Sequence, residues 1–198
     1  IGTSNGLNHY NFDTGQAAHF LYDKSVNAYI GEGTVERIIP AGDNKLFLQT
    51  YDGIRIFDQA SGELSIPEVV GDEDTAWFDA YSAGTTLTDD GILYFIGNEN
   101  FLAYNTKTKT IEPLALDPRV FDINFTQGFL GASSFHEGRL FLATEGGLWL
   151  INPKTSEHEL VYRFPESQRG RDRSISSWVI DDAGVLWLAY SSVGLIGI

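Results

Sequence analysis

The chain has 198 residues and a formal net charge of −14, from 13 Lys and Arg against 27 Asp and Glu. That sign repels a phosphate backbone or an anionic bilayer, so neither nucleic acid nor direct membrane insertion is expected. The chain has no Cys, which excludes disulfides, thiol nucleophiles and thiolate metal sites together, and it has no apolar run of the roughly 18 residues that a membrane-crossing helix needs.

In chain order, Ile1 to Gln16 (IGTSNGLNHYNFDTGQ) is a strand, a turn and a second strand, entered part-way through a unit. A short apolar run, Val35–Pro40, follows, closed by the turn Ala41-Gly42-Asp43-Asn44. Lys45–Thr50 alternates aromatic and branched residues, Tyr51-Asp52-Gly53 turns it, and Ile54–Phe57 is a third strand. Asp58–Gly62 turns again, and Leu64–Val70 is the fourth strand. Period-two apolar patterning between Gly, Asn and Asp turns is the signal of strands and hairpins. No segment combines helical periodicity with caps.

These four pieces then recur. KLFLQTYDGIRIFDQASGE from Lys45, ILYFIGNENFLAYNTKTKT from Ile92 and RLFLATEGGLWLINPKTSE from Arg139 start 47 residues apart, and VLWLAYSSVGLIGI from Val185 starts 46 later. Ile1 lies 47 positions before Leu48, so the N-terminus keeps the same register. Gly6, Gly53, Gly147 and Gly194 share one column, with Asn100 in its missing slot; Gly and Asn there imply a left-handed turn. Asn11, Asp58, Asn105 and Asn152 form a second column, and Thr14, Ser61, Thr108 and Thr155 a third.

Four strands in a unit of roughly 40 to 50 residues make a propeller blade. The expected fold is therefore all-β: a β-propeller of about four to five four-stranded blades, with a partial blade over 1–34, blades over 35–83, 84–130 and 131–173, and a partial blade over 174–198. Small residues in Gly84-Thr85-Thr86, Gly131-Ala132-Ser133-Ser134 and Ser174–Ser177 suit inner strands that converge on an axis. Phe47, Tyr94, Phe141 and Trp187 fill one column of the second strand and are expected to pack between blades. The chain enters in a second strand and leaves in a third, so an arc of a larger propeller is expected, with exposed end faces or pairing with another copy. A four-bladed ring with a redundant tail is the alternative.

The stretch Ser174-Ile175-Ser176-Ser177-Trp178-Val179-Ile180-Asp181-Asp182-Ala183-Gly184-Val185-Leu186-Trp187-Leu188-Ala189-Tyr190 resembles the two-component regulator propeller repeat. That motif runs as an Ile-Ser-like strand, an Asp-x-x-Gly turn, Leu-Trp-Ile-Gly-Thr, then Gly-Leu. Ile1-Gly2-Thr3-Ser4-Asn5-Gly6-Leu7 and Leu142-Ala143-Thr144-Glu145-Gly146-Gly147-Leu148 match its later half. Phe47 and Tyr94 depart from its Trp, and Asn100 from its Gly. The resemblance implies the extracytoplasmic, periplasmic sensor region of a bacterial inner-membrane receptor of the histidine kinase or diguanylate cyclase type. Its ligands, where there are any, are often oligosaccharides.

The residues themselves offer little reaction chemistry. His9, His19, His136 and His158 do not sit at metal-ligand spacing, so no metal and no cofactor are expected. The acidic Gly71-Asp72-Glu73-Asp74-Thr75 does not follow a calcium-loop spacing and is a solvated loop in the simpler reading. Sugar recognition uses flat aromatic faces with carboxylate or guanidinium groups beside them. The long, unrepetitive loops between blades carry such groups: Tyr29, then Trp77, Phe78, Asp79 and Tyr81, then Phe121 and Asp122, then Arg169 and Arg171. These are the candidate ligand-binding residues, for an oligosaccharide or another small ligand, and the same loops could instead cover blade edges. A non-catalytic sensor is the leading reading. A polysaccharide lyase or glycosidase using Asp79 and Asp122 is one alternative, and a scaffold packed on neighbouring blades of its parent protein, or in a homodimer, is the other.

Overall fold

In the computed structural model the described residues are 1–4, 6–20, 34–50, 53–70, 75–79, 82–97, 100–116, 133–144, 147–163, 175–190 and 194–197. They form five small antiparallel sheets arranged as the blades of a β-propeller. The first sheet is β1 (Gly2–Thr3), β2 (Gly6–Tyr10) and β3 (Ala17–Phe20), in that order. The second is β4 (Val35–Gly42), β5 (Lys45–Thr50), β6 (Gly53–Asp58) and β7 (Leu64–Ser65). The third is β8 (Ser82–Leu87), β9 (Ile92–Gly97), β10 (Asn100–Asn105) and β11 (Thr110–Pro113). The fourth is β12 (Ser133–His136), β13 (Arg139–Thr144), β14 (Gly147–Ile151) and β15 (His158–Arg163). The fifth is β16 (Ile175–Ile180), β17 (Leu186–Tyr190) and β18 (Gly194–Gly197).

Besides shifts of one or two residues, two strand bounds and one helical turn differ from the expected elements. The fourth strand of the second sheet is only Leu64–Ser65, because Pro67 has no N–H to give the ladder and fixes its own φ. Beyond it, Val70 N–H donates to the Lys109 carbonyl instead, at 2.9 Å. The third sheet opens at Ser82, so Ser82 and Ala83 extend the small-residue inner strand rather than close the blade before it. One turn of 3₁₀ helix, Thr75–Phe78, lies in a segment that has no helical periodicity in the sequence.

The repeat columns have physical causes. Gly6, Gly53, Gly147 and Gly194 all have positive φ (100°, 115°, 155° and 99°), which side chains other than Gly seldom tolerate. A Cβ on Gly147 would stand 2.2 Å from the Tyr162 carbonyl oxygen. The Asn/Asp column caps the next turn. Asn11 Oδ1 accepts from the N–H groups of Asp13 and Thr14, Asp58 Oδ1 from Ala60 and Ser61, Asn105 Oδ1 from Lys107 and Thr108, and Asn152 Oδ1 from Lys154. The Thr/Ser column closes the same turn: Thr14, Ser61 and Thr155 hydroxyls accept from the N–H groups of Gln16, Glu63 and Glu157. Each turn also holds a left-handed residue at Gly15, Gly62, Lys109 and Ser156, with φ between 59° and 75°.

The chain divides into two compact units, Ile1–Ser82 with Asp89–Leu93 and Tyr104–Glu112, and Ala83–Thr88 with Tyr94–Ala103 and Pro113–Ile198. In the first, Leu7, Val35, Leu48 and Phe57 form a buried cluster that joins the first sheet to the second, with Phe20, Ile38, Leu46 and Leu64 packed on it. In the second, Leu148 of the fourth sheet packs with Leu186 and Leu188 of the fifth. Burying each such side chain contributes roughly 1.5–3 kcal/mol. The large-residue column behaves as expected where its neighbours are described. Tyr94 stacks on Phe135 of the fourth sheet at 6.2 Å, and Phe141 lies against Trp178 of the fifth at 5.1 Å.

Candidate functional site

The described part of the candidate site is built at the end of the second sheet where β5 turns into β6. The ladder there pairs Leu48 with Arg55, Gln49 with Ile54 and Thr50 with Gly53. Arg55 is the organising residue. Its Nη1 donates to the Ile54 carbonyl at 3.0 Å and to the Phe78 carbonyl at 2.8 Å, and its Nη2 meets Asp79 Oδ1 at 2.8 Å. One guanidinium thus ties a strand to the loop that follows the blade. Arg suits this task because its planar fork presents several donors in a fixed geometry.

The 3₁₀ turn sorts its aromatics. Phe78 is fully buried, edge-on to Tyr104 at a centroid distance of 5.1 Å. The Tyr104 hydroxyl donates to the Glu68 carbonyl at 2.8 Å. Burial, with a smaller contribution from the Glu68 charge, pushes the Tyr104 phenol up to about 12. Phe78 is therefore a core anchor for the loop. Trp77 is half-buried and Asp79 exposed, so these two face outward from that anchor. Asp79 is held by Arg55, which is the arrangement of a structural ion pair.

A second polar pair lies one register step away. Gln49 Nε2 donates to Glu36 Oε2 at 2.9 Å, while Gln49 Oε1 is buried and accepts no hydrogen bond among the described residues. Arg55, Gln49 and Glu36 are not legible as site residues in the sequence, since each occupies an ordinary strand position. Arg55 gives no signal of its own, because a polar residue between Ile54 and Ile56 is what the period-two alternation of a strand already contains.

Of the nine candidate residues, Trp77, Phe78 and Asp79 are described and adjacent. Tyr29, Tyr81, Phe121, Asp122, Arg169 and Arg171 lie outside the described residues, as do Gly71–Asp74 of the acidic segment. His9, His19 and His136 are exposed, and His19 Nδ1 meets Asn8 Oδ1. His158 Nδ1 meets the Ser156 carbonyl at 2.9 Å, which makes that nitrogen the donor. Among the described residues no group of three or more His, Asp or Glu side chains is placed to hold a metal ion. Also among them, no helix is long and apolar enough to cross a membrane. An open groove of about 360 Å³, lined by Arg139, Leu150, Asn152, Glu157, His158 and Glu159, sits at the strand ends of the fourth sheet remote from the β13–β14 turn.

No family model and no curated protein matches the chain. Solved structures do. The chain is similar to the extracellular domain of BT3049 from B. thetaiotaomicron, a protein described as a hybrid two component system, with 18% identity and a TM-score of 0.67 over 98% of this chain and 24% of that one. It is also similar to the extracellular domain of BT4673 from the same organism, described as a one component system, with 17% identity and a TM-score of 0.66 over 100% of this chain and 26% of that one. A third likeness is to regucalcin from Agrobacterium tumefaciens, a calcium-binding protein, with 14% identity and a TM-score of 0.59 over 94% of this chain and 60% of that one. At these identities the likeness establishes the fold, a β-propeller. The chain spans about a quarter of the length of the two B. thetaiotaomicron domains.

Proposed function

We propose that the chain is part of a non-catalytic sensing propeller, in the extracytoplasmic region of a bacterial membrane receptor of the two-component type. The observation that carries this reading is the likeness, over 98% or more of the chain, to extracellular domains of systems described in those terms. The turn Asp181-Asp182-Ala183-Gly184, followed by Leu186-Trp187, supports it independently from sequence.

The loop end of the second sheet is the proposed binding surface. Trp77, half-buried, and Asp79, exposed, place an indole and a carboxylate two residues apart on this loop, the kinds of group that recognise the C–H surface and hydroxyls of a sugar. Tyr81, Phe121, Asp122, Arg169, Arg171 and Tyr29 belong to the same proposal by sequence. A ligand of this kind shifts unfolding by mass action, so thermal-shift screening of the purified chain against neutral and acidic oligosaccharides tests it. The expected result is a concentration-dependent rise in Tm with at least one glycan class. Silence across both classes by a folded protein contradicts an oligosaccharide ligand.

A further inference from the structure

The open groove of about 360 Å³ on the fourth sheet is lined by Arg139, which starts β13, and by side chains of the β14–β15 turn and the strand after it. The turn holds most of these side chains in place. Asn152 Oδ1 accepts the Lys154 N–H at 3.0 Å, and the Asn152 N–H donates to the Glu157 carbonyl at 2.8 Å. The Thr155 hydroxyl donates to Glu157 Oε2 at 3.1 Å, which orients that carboxylate. The His158 ring is fixed by its Nδ1 bond to the Ser156 carbonyl and by the Trp149 ring, 6.0 Å away. In the neutral ring Nε2 is then the acceptor. Arg139 is held loosely. Its Nη1 stands 3.6 Å from Glu159 Oε1, too far for a hydrogen bond, and the two side chains are 56% and 64% exposed. An ion pair of this kind contributes little to stability.

The fold does not require this set of groups. One repeat earlier, in the third sheet, Arg139, Glu157, His158 and Glu159 correspond to Ile92, Thr110, Ile111 and Glu112. In the second sheet they correspond to Lys45, Glu63, Leu64 and Ser65. An apolar residue serves at the His158 position in both, and Ile111 is 4% exposed. Of these three sheets only the fourth joins a guanidinium, an imidazole and two carboxylates at this corner.

The charge pattern selects the ligand. Two carboxylates beside one guanidinium, in a chain of net charge −14, disfavour a simple anion. Leu150 is the one apolar side chain in the lining, so an apolar ligand gains little there. Among the described residues no three His, Asp or Glu side chains are placed to hold a metal ion. A molecule with both signs of charge close together suits the groove, because its anionic end replaces Glu159 at Arg139 while its cationic end takes up the carboxylates. We propose that the groove binds a free α-amino acid with an uncharged side chain, its carboxylate on the Arg139 guanidinium and its ammonium group on the Glu157 and Glu159 carboxylates. The size is adequate, since small-molecule sites begin at roughly 300 Å³. All the lining residues belong to the second compact unit, so the site does not rest on the Trp77 loop.

Amide NMR of the isotope-labelled chain tests this, in titrations with each L-amino acid of uncharged side chain and with the α-amide and N-acetyl form of each. The expected result is a saturable shift of signals from Asn152–Glu159 with at least one amino acid. Its α-amide, which lacks the carboxylate, and its N-acetyl form, which lacks the ammonium group, are expected to bind weaker by roughly tenfold or more. Arg139→Gln and Glu157→Gln are expected to weaken binding of the amino acid by a similar factor. Both positions are exposed, and unfolding curves of the variants establish that they fold. Groove signals that shift with none of the amino acids, an α-amide or N-acetyl form that binds as well as its parent, or folded variants with unchanged affinity overturn the proposal.

Discussion

Asp181 Oδ2 accepts the indole N–H of Trp187 at 2.8 Å, while Asp181 Oδ1 accepts the N–H groups of Ala183 and Val185, each at 2.9 Å. One carboxylate therefore organises the Gly184 turn and fixes the ring that follows it. The residue just past the pairs Ile180–Leu186, Phe135–Leu140 and Pro40–Leu46 is Asp181 in this sheet, His136 in the sheet of Phe141 and Ala41 in the sheet of Phe47. None of those rings has an indole N–H at that place, so in those sheets a carboxylate there would have no ring donor to accept.

This bond predicts a pH dependence. The Trp187 hydrogen bond first, and the Val185 N–H next, hold the Asp181 carboxyl below its ordinary range. A depressed pKa contributes stability at pH values above the unfolded pKa, and that contribution is lost as pH falls through the folded value. Asp181→Asn is expected to lower Tm at neutral pH, with the difference from the unaltered chain shrinking as acid is added. Trp187→Phe keeps an aromatic ring but removes the donor, and is expected to raise the Asp181 pKa in a carboxylate NMR titration.

The left-handed column gives opposite signs at equivalent sites. Lys109 and Ser156 stand at φ 63° and 59° where two other sheets have Gly15 and Gly62. A non-Gly residue there costs on the order of 1–2 kcal/mol, part of which Gly returns through its extra freedom when unfolded. Lys109→Gly is expected to stabilise by up to about 1 kcal/mol in urea unfolding, and Gly62→Ala to destabilise by about 1 kcal/mol.

Arg55 carries more of the loop than the ion pair does. Its side chain is 11% exposed and that of Asp79 is 46% exposed, so solvent screening limits the charge term. Asp79→Asn is expected to cost less than about 1 kcal/mol. Arg55→Ala also removes the hydrogen bonds to the Phe78 and Ile54 carbonyls and is expected to cost about 1–3 kcal/mol. Equal losses in the two variants, measured by urea unfolding, would contradict this ranking.

Tyr104 predicts an alkaline transition. Its phenol is raised to about 12 in the fold, against about 10 in an unfolded chain. Stability from the neutral phenol is complete below the unfolded value and is lost as pH rises through the folded one. Tyr104→Phe is expected to cost about 1 kcal/mol at neutral pH and to flatten the fall in Tm between those two values. The ultraviolet titration of the unaltered chain should contain one late phenol that the variant lacks.

The propeller itself is legible because its columns record backbone requirements that few residues satisfy. Gly6, Gly53, Gly147 and Gly194 announce positive φ, and Asn11, Asp58, Asn105 and Asn152 announce a side chain that caps a turn. Lys109 and Ser156 hide the same conformation, because their turns are held by Asn105 and Asn152 whatever residue follows. The column of Trp187 indicates packing, but its bond to Asp181 belongs to this sheet alone in that respect, because Phe47 and Phe141 have no ring N–H to donate. Phe78 shows the limit at the loop. Trp77 and Phe78 are equivalent in sequence, and only the burial of Phe78 against Tyr104 separates a core anchor from an outward ring. Arg55 stays hidden because a long side chain on a strand says nothing about which loop it reaches.

The proposed sensing role turns on whether Trp77 belongs to a binding surface. Tryptophan fluorescence of the purified chain, titrated with the glycan class that raises Tm, measures this most directly when Trp77→Ala and Trp187→Phe are titrated beside the unaltered protein. The account predicts a saturable change that survives Trp187→Phe and disappears, together with the Tm shift, in a folded Trp77→Ala variant. Unchanged affinity in Trp77→Ala, or no saturable response to any glycan in the unaltered chain, would contradict it.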